Sequence, residues 1–177
     1  MGSLWASFEI IVGSFLHNLK VPFSGTTLSF ASVFLVIAYV QIWREKGLVW
    51  RAGLICALMK SLSPSAVILG PMIGIMTEAL ILSIMIGLLG RNLISYVLAG
   101  GLAVLSALLH KVISLLILYG MDLVRILEGL YNYAVKQLRI TGLDPVTLIV
   151  LLALIYFTAG IIASVLGYLA GQRYLKH

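Results

Sequence analysis

The sequence predicts an all-α integral membrane protein: a compact bundle of about six transmembrane helices, with one amphipathic interfacial helix between the last two spans. Of the 177 residues, 62% are apolar and 10% are charged, whereas soluble domains carry about 25% charged residues. The apolar residues form long runs separated by short polar turns, which is typical of spans joined by tight loops. The length favours a single transmembrane domain over residues 1–177.

Six apolar segments are predicted to cross the membrane, and each is bounded by recognisable helix breakers. Their ranges are 4–17, 26–43, 48–62, 66–89, 93–120 and 146–171. The breakers are the polar string from His17 to Lys20 with Pro22, the charged turn 44–47, Ser63-Pro64-Ser65, Gly90-Arg91-Asn92 and Asp144-Pro145. Glycine, proline and capping residues end or begin helices for steric and hydrogen-bonding reasons.

The region 48–75 allows two interpretations, because its first segment is short and a Gly70-Pro71 pair follows soon after. It forms either two spans or a re-entrant hairpin, which would leave five spans or fewer. Broken backbone at membrane depth is tolerated only where it is buried in protein or lines a cavity. Gly70-Pro71 is therefore predicted to interrupt the fourth segment at an interior position.

The segment 122–139 differs from the spans and is predicted to be an amphipathic helix on the membrane surface. Leu123, Leu127, Leu130, Ala134 and Leu138 recur at helical spacing on one face. Arg125, Gly129, Asn132, Lys136 and Arg139 recur on another face. Either this helix covers a ligand site or it is a surface element without ligand contact.

The distribution of basic residues predicts that both termini are cytoplasmic in a multi-pass protein of the cell membrane. With six spans, one side of the membrane receives Arg44, Lys46, Arg51, Arg91, Arg173 and Lys176. In short loops the other side receives only Lys20 and Lys60. Because cytoplasmic loops are enriched in Lys and Arg, the first set should face the cytoplasm.

Three ionisable residues inside the apolar runs are candidates for function, because charges at membrane depth are energetically expensive. They are Glu78 in the fourth segment and His110 with Lys111 in the fifth. Their similar depths favour a Glu78–Lys111 or Glu78–His110 pair, either a structural ion pair or a contact to a ligand or proton. A second polar group is expected at the outer mouth and consists of His17, Asn18, Lys20, Lys60, Ser61, Ser63, Tyr119, Asp122, Arg125, Tyr131, Asn132 and Tyr133. For most of these, interfacial anchoring is the simpler interpretation.

No enzymatic, metal-binding or nucleic-acid-binding pattern is visible. His17, His110 and His177 share no ligand spacing, and the sequence has no P-loop motif. The single cysteine, Cys56, is most simply a packing residue, although Cys56 or His110 could ligate a corrinoid or haem. We therefore expect no catalytic residues, no bound metal and no resident cofactor.

Small residues recur every four positions on two segments. Ala159, Ala163, Gly167 and Gly171 do so on the last, and Ala99, Ala103 and Ala107 do so on the fifth. Such stripes allow helices to approach closely. They serve either packing within the bundle or docking of another membrane protein.

The string Lys60-Ser-Leu-Ser-Pro-Ser-Ala-Val-Ile-Leu-Gly-Pro-Met-Ile-Gly-Ile-Met-Thr-Glu78 resembles the third loop and fourth-helix entry of the S components of energy-coupling factor transporters. Gly70-Pro71-x-x-Gly74 is its most recognisable part, and the layout of about six helices with both termini inside is also similar. The resemblance implies capture of a vitamin or other micronutrient from the outer face. It also implies a separate transmembrane coupling protein and two cytosolic ATPases. Gly2 stands where metal-transporting members carry a histidine, so nickel or cobalt uptake is not expected.

The sequence thus predicts the substrate-capture subunit of a micronutrient importer, with a structural or assembly subunit without ligand as the alternative. The expected substrate-binding residues are His17, Asn18, Lys20, Lys60, Gly70, Glu78, His110, Lys111, Tyr119, Arg125 and Tyr131. Membrane lipid surrounds the bundle in either case. A well-formed outward pocket with convergent polar groups separates the two interpretations.

Overall fold

The computed structural model describes residues 1–18, 24–43, 45, 47–61, 69–120, 122–139 and 144–175. These residues form seven α-helices and no β-strand, so the predicted all-helical class is confirmed. The helices are α1 (Gly2–Asn18), α2 (Ser24–Ile42), α3 (Leu48–Ser61), α4 (Leu69–Leu89), α5 (Leu93–Tyr119), α6 (Leu123–Leu138) and α7 (Pro145–Leu175).

Helix boundaries follow local capping chemistry. Asn92 caps α5 by accepting a 2.7 Å hydrogen bond from the Ser95 amide. Asp122 caps α6 by accepting a hydrogen bond from the Arg125 amide. The predicted interruption at Gly70-Pro71 is wrong, because α4 begins at Leu69 and the pair lies in its first turn. Proline is tolerated there, since the first amides of a helix have no intrahelical acceptor.

Four helices in the described part of the chain are long and apolar enough to cross a membrane. They cover residues 24–42, 70–89, 93–113 and 145–175. The apolar stretch of α1 is shorter, and the 14 residues of α3 extend only about 21 Å against a hydrocarbon core of roughly 30 Å. The architecture is that of a multi-pass membrane protein. Among the described residues, four helices are long and apolar enough to cross a membrane, whereas six spans were predicted.

The outer surface of the bundle also suits lipid. Large apolar side chains stay exposed on several helices, among them Ile11, Ile84 and Ile162. Soluble monomers rarely expose contiguous apolar surface of this kind, whereas in a membrane such side chains are solvated by lipid tails.

The helices pack as a ring. Helix α1 lies against α2 and α3, α3 packs on α4, α4 on α5, α5 on α7, and α7 returns to α2. Helix α2 also touches α5 across the ring, and α6 lies on α5 and α7. Helix α2 meets α1 at Ser32, which is hydrogen-bonded to Trp5 and Glu9.

The tightest crossing joins α5 and α7 through glycines. A Cβ at Gly160 would collide with the main-chain carbonyl of Gly100, and one at Gly167 would meet the Phe34 carbonyl 2.6 Å away on α2. Ala99, Ala103 and Ala163 are fully buried. These members of the two small-residue stripes therefore serve packing within the bundle.

The amphipathic helix forms as predicted, but its inward face is shifted. Ile126, Leu130 and Ala134 are buried, whereas Leu127, predicted on the apolar face, is 47% exposed. Gly129, predicted on the polar face, packs inward on Leu115. The buried set recurs every four residues, which aligns it with one side of the helix.

One end of the bundle, called here the Arg91 end, joins two turns. The Arg91 guanidinium donates a 2.8 Å hydrogen bond to the Glu45 carbonyl, so the α2–α3 and α4–α5 connections lie together. A cavity of about 540 Å³ opens at this end between Val40, Ser83 and Ile86. The opposite end, where α3 finishes at Ser61 and α4 begins, is called the Lys60 end.

We predict that Gly160→Ala lowers the free energy of unfolding by about 1–3 kcal/mol, because the added methyl group overpacks the α5–α7 crossing. The measurement is thermal or denaturant unfolding of the purified protein in detergent. The matched control is Gly74→Ala, since a Cβ at Gly74 meets nothing within 4 Å. Equal stability of the two variants would contradict the assigned role of Gly160.

Candidate functional site

A group of buried polar side chains lies between the first four helices. It consists of Trp5 and Glu9 on α1, Ser29 and Ser32 on α2, Lys60 on α3 and Glu78 on α4, and is called here the polar cluster. None of the six residues is more than 8% exposed. Fully buried Glu and Lys side chains are rare in proteins unless they are paired, so the cluster is the most unusual feature of the bundle.

Glu9 is held by partners from two neighbouring helices. The Trp5 indole donates a 2.8 Å hydrogen bond to Ser32 Oγ, and Ser32 Oγ donates one of 2.8 Å to Glu9 Oε1. Lys60 Nζ donates a 3.0 Å hydrogen bond to the main-chain oxygen of Glu9, and its charge also acts on the Glu9 carboxylate. Lys60 therefore ties α3 to the main chain of α1 beside Glu9, and it is the one buried cation near the two acids in the described part of the chain.

Glu78 is joined to the cluster from the other side. Ser29 Oγ donates a short hydrogen bond to Glu78 Oε1. Because Ser29 and Ser32 lie one turn apart on the same face of α2, this helix presents one hydroxyl to each carboxyl group. Cys56 is buried one turn before Lys60 and lies within electrostatic range of Glu9 and Glu78.

Close packing of α3 against α4 brings these charges together. Gly53 has room for no side chain, because its Cβ would collide with that of Ala79 and would lie 3.7 Å from the Trp5 ring. Glu9 lies nine residues before the end of α1 and Glu78 nine after the start of α4, so each is about 14 Å from the Lys60 end of its helix. Both carboxyl groups therefore lie at a similar depth.

A second polar group lies where α2, α5, α6 and α7 meet. The Tyr133 and Tyr156 hydroxyls are 3.0 Å apart, and the Lys111 ammonium lies 5.3 Å from the centre of the Tyr133 ring. Thr26 is buried and faces Tyr156, but its hydroxyl completes no hydrogen bond with a described residue. Cation–π contacts of this type are attractive because the ring face is electron-rich.

The structure separates several residues that the sequence predicted to act together. The Glu78–Lys111 pair is not formed among the described residues: Glu78 binds Ser29, and Lys111 lies on Tyr133. His110, next to Lys111, is half-buried. Lys60 and Glu78 do share one cluster, although the sequence placed Lys60 at the outer mouth.

The remaining predicted site residues lie nearer the helix ends. Arg125 forms a 3.1 Å salt bridge with Asp122 in which the two side chains are 67% and 43% exposed. Tyr119 is exposed at the end of α5, Tyr131 is half-buried on α6, and Gly70 lies in the first turn of α4. His17 and Asn18 belong to the last turn of α1, with side chains outside the described set, and Lys20 lies outside the described residues.

Four members of the polar cluster were not predicted as site residues. These are Trp5, Glu9, Ser29 and Ser32. The pattern that could have identified the serines lies in α2, where Thr26, Ser29 and Ser32 recur every three residues on one face of the helix. Comparison of the chain with protein-family models, curated proteins and solved structures finds no match.

We predict that Lys60→Met lowers the free energy of unfolding by about 3–5 kcal/mol, since it leaves buried carboxyl groups without their cation. Lys111→Met is the matched control. It should lower the free energy of unfolding by about 0.5–2 kcal/mol, which is the contribution of a cation–π contact. Both are measured by unfolding in detergent. If the two substitutions cost the same, Lys60 does not compensate a buried charge.

Proposed function

We propose that the chain is the substrate-capture subunit of a vitamin or micronutrient importer, similar to the S components of energy-coupling factor transporters. The observation that carries this proposal is the convergence of Glu9, Lys60 and Glu78 from three helices, with the two carboxyl groups at similar depth below the Lys60 end. A small molecule would enter from that end and find the polar cluster beneath it. This end would face outward, which corresponds to six crossings and to cytoplasmic termini.

The energetics of buried charge favour a functional role for the cluster. Replacing a buried ion pair by well-packed apolar residues is often neutral or stabilising, so stability alone does not explain charges in a membrane bundle. Intramembrane ionisable residues generally mark ligand, ion or proton sites. The polar cluster would act as the floor of the binding site.

The second polar group supplies a wall and a cover in this proposal. Lys111 and the Tyr133–Tyr156 pair lie between α5, α6 and α7. Helix α6 continues past them and carries Tyr131 and the exposed Arg125. Aromatic and cationic side chains suit a planar or anionic vitamin, because they provide stacking surface and charge. The connections 19–23, 62–68 and 140–143 lie outside the described residues.

The proposal requires partners for energy coupling. The 177 residues contain no P-loop, so ATP hydrolysis would be performed by two cytosolic ATPase subunits through a transmembrane coupling protein. These partners would act on the Arg91 end, which would face the cytoplasm. The alternative, an assembly subunit without ligand, would use the same charges only as a buried structural pair.

We predict that native mass spectrometry of the detergent-purified protein detects a vitamin-sized molecule carried through purification. Adding the identified compound at 100 times its dissociation constant should stabilise the protein by about 2.7 kcal/mol, through mass action on the folded state. Thermal shift against a panel of vitamins, corrinoids and haem provides the second readout. A clean spectrum together with a flat panel would favour the assembly subunit.

A pair of lysine variants sharpens this test. Lys111→Met should reduce the ligand-induced stabilisation, measured relative to the same variant without ligand. Lys136→Met is the control, because Lys136 is exposed on α6. Equal ligand stabilisation in both variants would remove Lys111 from the proposed site.

A further inference from the structure

The charges buried between α1, α3 and α4 do not balance. Two acids, Glu9 and Glu78, face one base, Lys60, and none of the three is more than 8% exposed. With all three ionised, the polar cluster would carry one uncompensated negative charge. An isolated ionised carboxylate in an apolar interior is strongly disfavoured and normally takes up a proton or a cation instead.

Lys60 contacts Glu9 rather than Glu78. Its ammonium donates to the main-chain oxygen of Glu9, 3.0 Å away. Glu78 is bound by the Ser29 hydroxyl instead. Ionising Glu78 would therefore add a second buried carboxylate to a cluster that holds one cation.

No other helix packed near Glu78 supplies a compensating charge. Helix α2 contributes the Ser29 hydroxyl, which is the one hydrogen-bond partner of Glu78 among the described residues. Helix α3 adds the Cys56 thiol. Helix α5 packs antiparallel to α4, with Ser95 on Met85, so His110 and Lys111 lie roughly 12 Å further toward the Lys60 end. The ammonium of Lys111 is engaged there with Tyr133.

A line of hydroxyl groups leads from Glu78 toward the Lys60 end. Ser29 contacts Glu78, and Thr26 lies one turn away on the same face of α2. Thr26 is only 7% exposed, and its hydroxyl completes no hydrogen bond with a described residue although it faces Tyr156. Tyr156 in turn contacts Tyr133. Hydroxyl groups both donate and accept hydrogen bonds, so this line suits the passage of a proton.

We propose that Glu78 is a proton-binding site within the bundle. The carboxyl group of Glu78 is protonated, Glu9 is ionised against Lys60, and the cluster is then electrically neutral. The proton comes from water and returns to it through Ser29, Thr26 and the Tyr133–Tyr156 pair. A ligand that brings positive charge to the cluster would displace this proton. The site itself does not depend on a ligand, so it can stand even if the importer proposal fails.

The test is infrared spectroscopy of the full-length protein in liposomes near neutral pH, with exchange into heavy water. The wild type should show the carbonyl stretching band of a protonated carboxylic acid, and Glu78→Gln should lose it. Glu78→Asp, which keeps the acid, should shift the band rather than remove it. Glu128→Gln is the control, because Glu128 is exposed on α6, and it should leave the band unchanged.

Two results would overturn the proposal. One is the absence of a protonated carboxyl band from the wild type, or its persistence in Glu78→Gln. The other is a melting temperature that rises when sodium replaces choline in the buffer, with the rise lost in Glu78→Gln, because the carboxylate would then hold a metal cation. Should Glu78→Gln fail to fold, the wild type and Glu78→Asp spectra still decide whether Glu78 is protonated.

Discussion

The contact between Lys60 and Glu9 is the interaction on which the N-terminal half of the bundle depends. It joins α1 to α3 and allows Lys60, in the last turn of α3, to lie in an apolar environment. Without it, α1 would carry an uncompensated carboxylate, and α3 would carry an uncompensated ammonium. The hydroxyls of α2 extend this contact to α4, because Ser32 reaches Glu9 and Ser29 reaches Glu78.

Small residues make this electrostatic arrangement possible. Gly53 lets α3 approach α4 and the Trp5 ring, and Gly100 with Gly160 lets α5 approach α7. Between transmembrane helices the hydrophobic effect provides little attraction, so close van der Waals packing must hold them together. The glycines therefore fix the helix positions, and the helix positions bring the charged side chains to the same depth.

Much of the fold could be predicted from composition and breaker residues. The helical class, the capped start of α5 and the amphipathic α6 follow from local chemistry, and the structure contains all three. The helix partners of each charge could not be predicted, because sequence spacing gives depth but not neighbours. Glu78 and Lys111 were predicted at similar depths, yet the antiparallel packing of α4 on α5 places Lys111 roughly 12 Å nearer the Lys60 end. Ser29 of α2 reaches Glu78 across the ring, and Tyr133 of α6 lies beside Lys111. Likewise, Lys60 was expected in the loop after the short third segment. In the structure it lies in the last turn of α3, and the packing of α3 on α1 buries it.

A double-mutant cycle on Glu9→Gln and Lys60→Met tests the central claim most directly. Each single substitution leaves a buried charge unpaired and should cost about 3–5 kcal/mol, while removing both partners together should recover most of that loss. The measurement is the free energy of unfolding of the four proteins in the same detergent. A favourable coupling energy of several kcal/mol is the result this account predicts. Simple additivity of the two single substitutions would contradict it, because Glu9 and Lys60 would then not compensate each other.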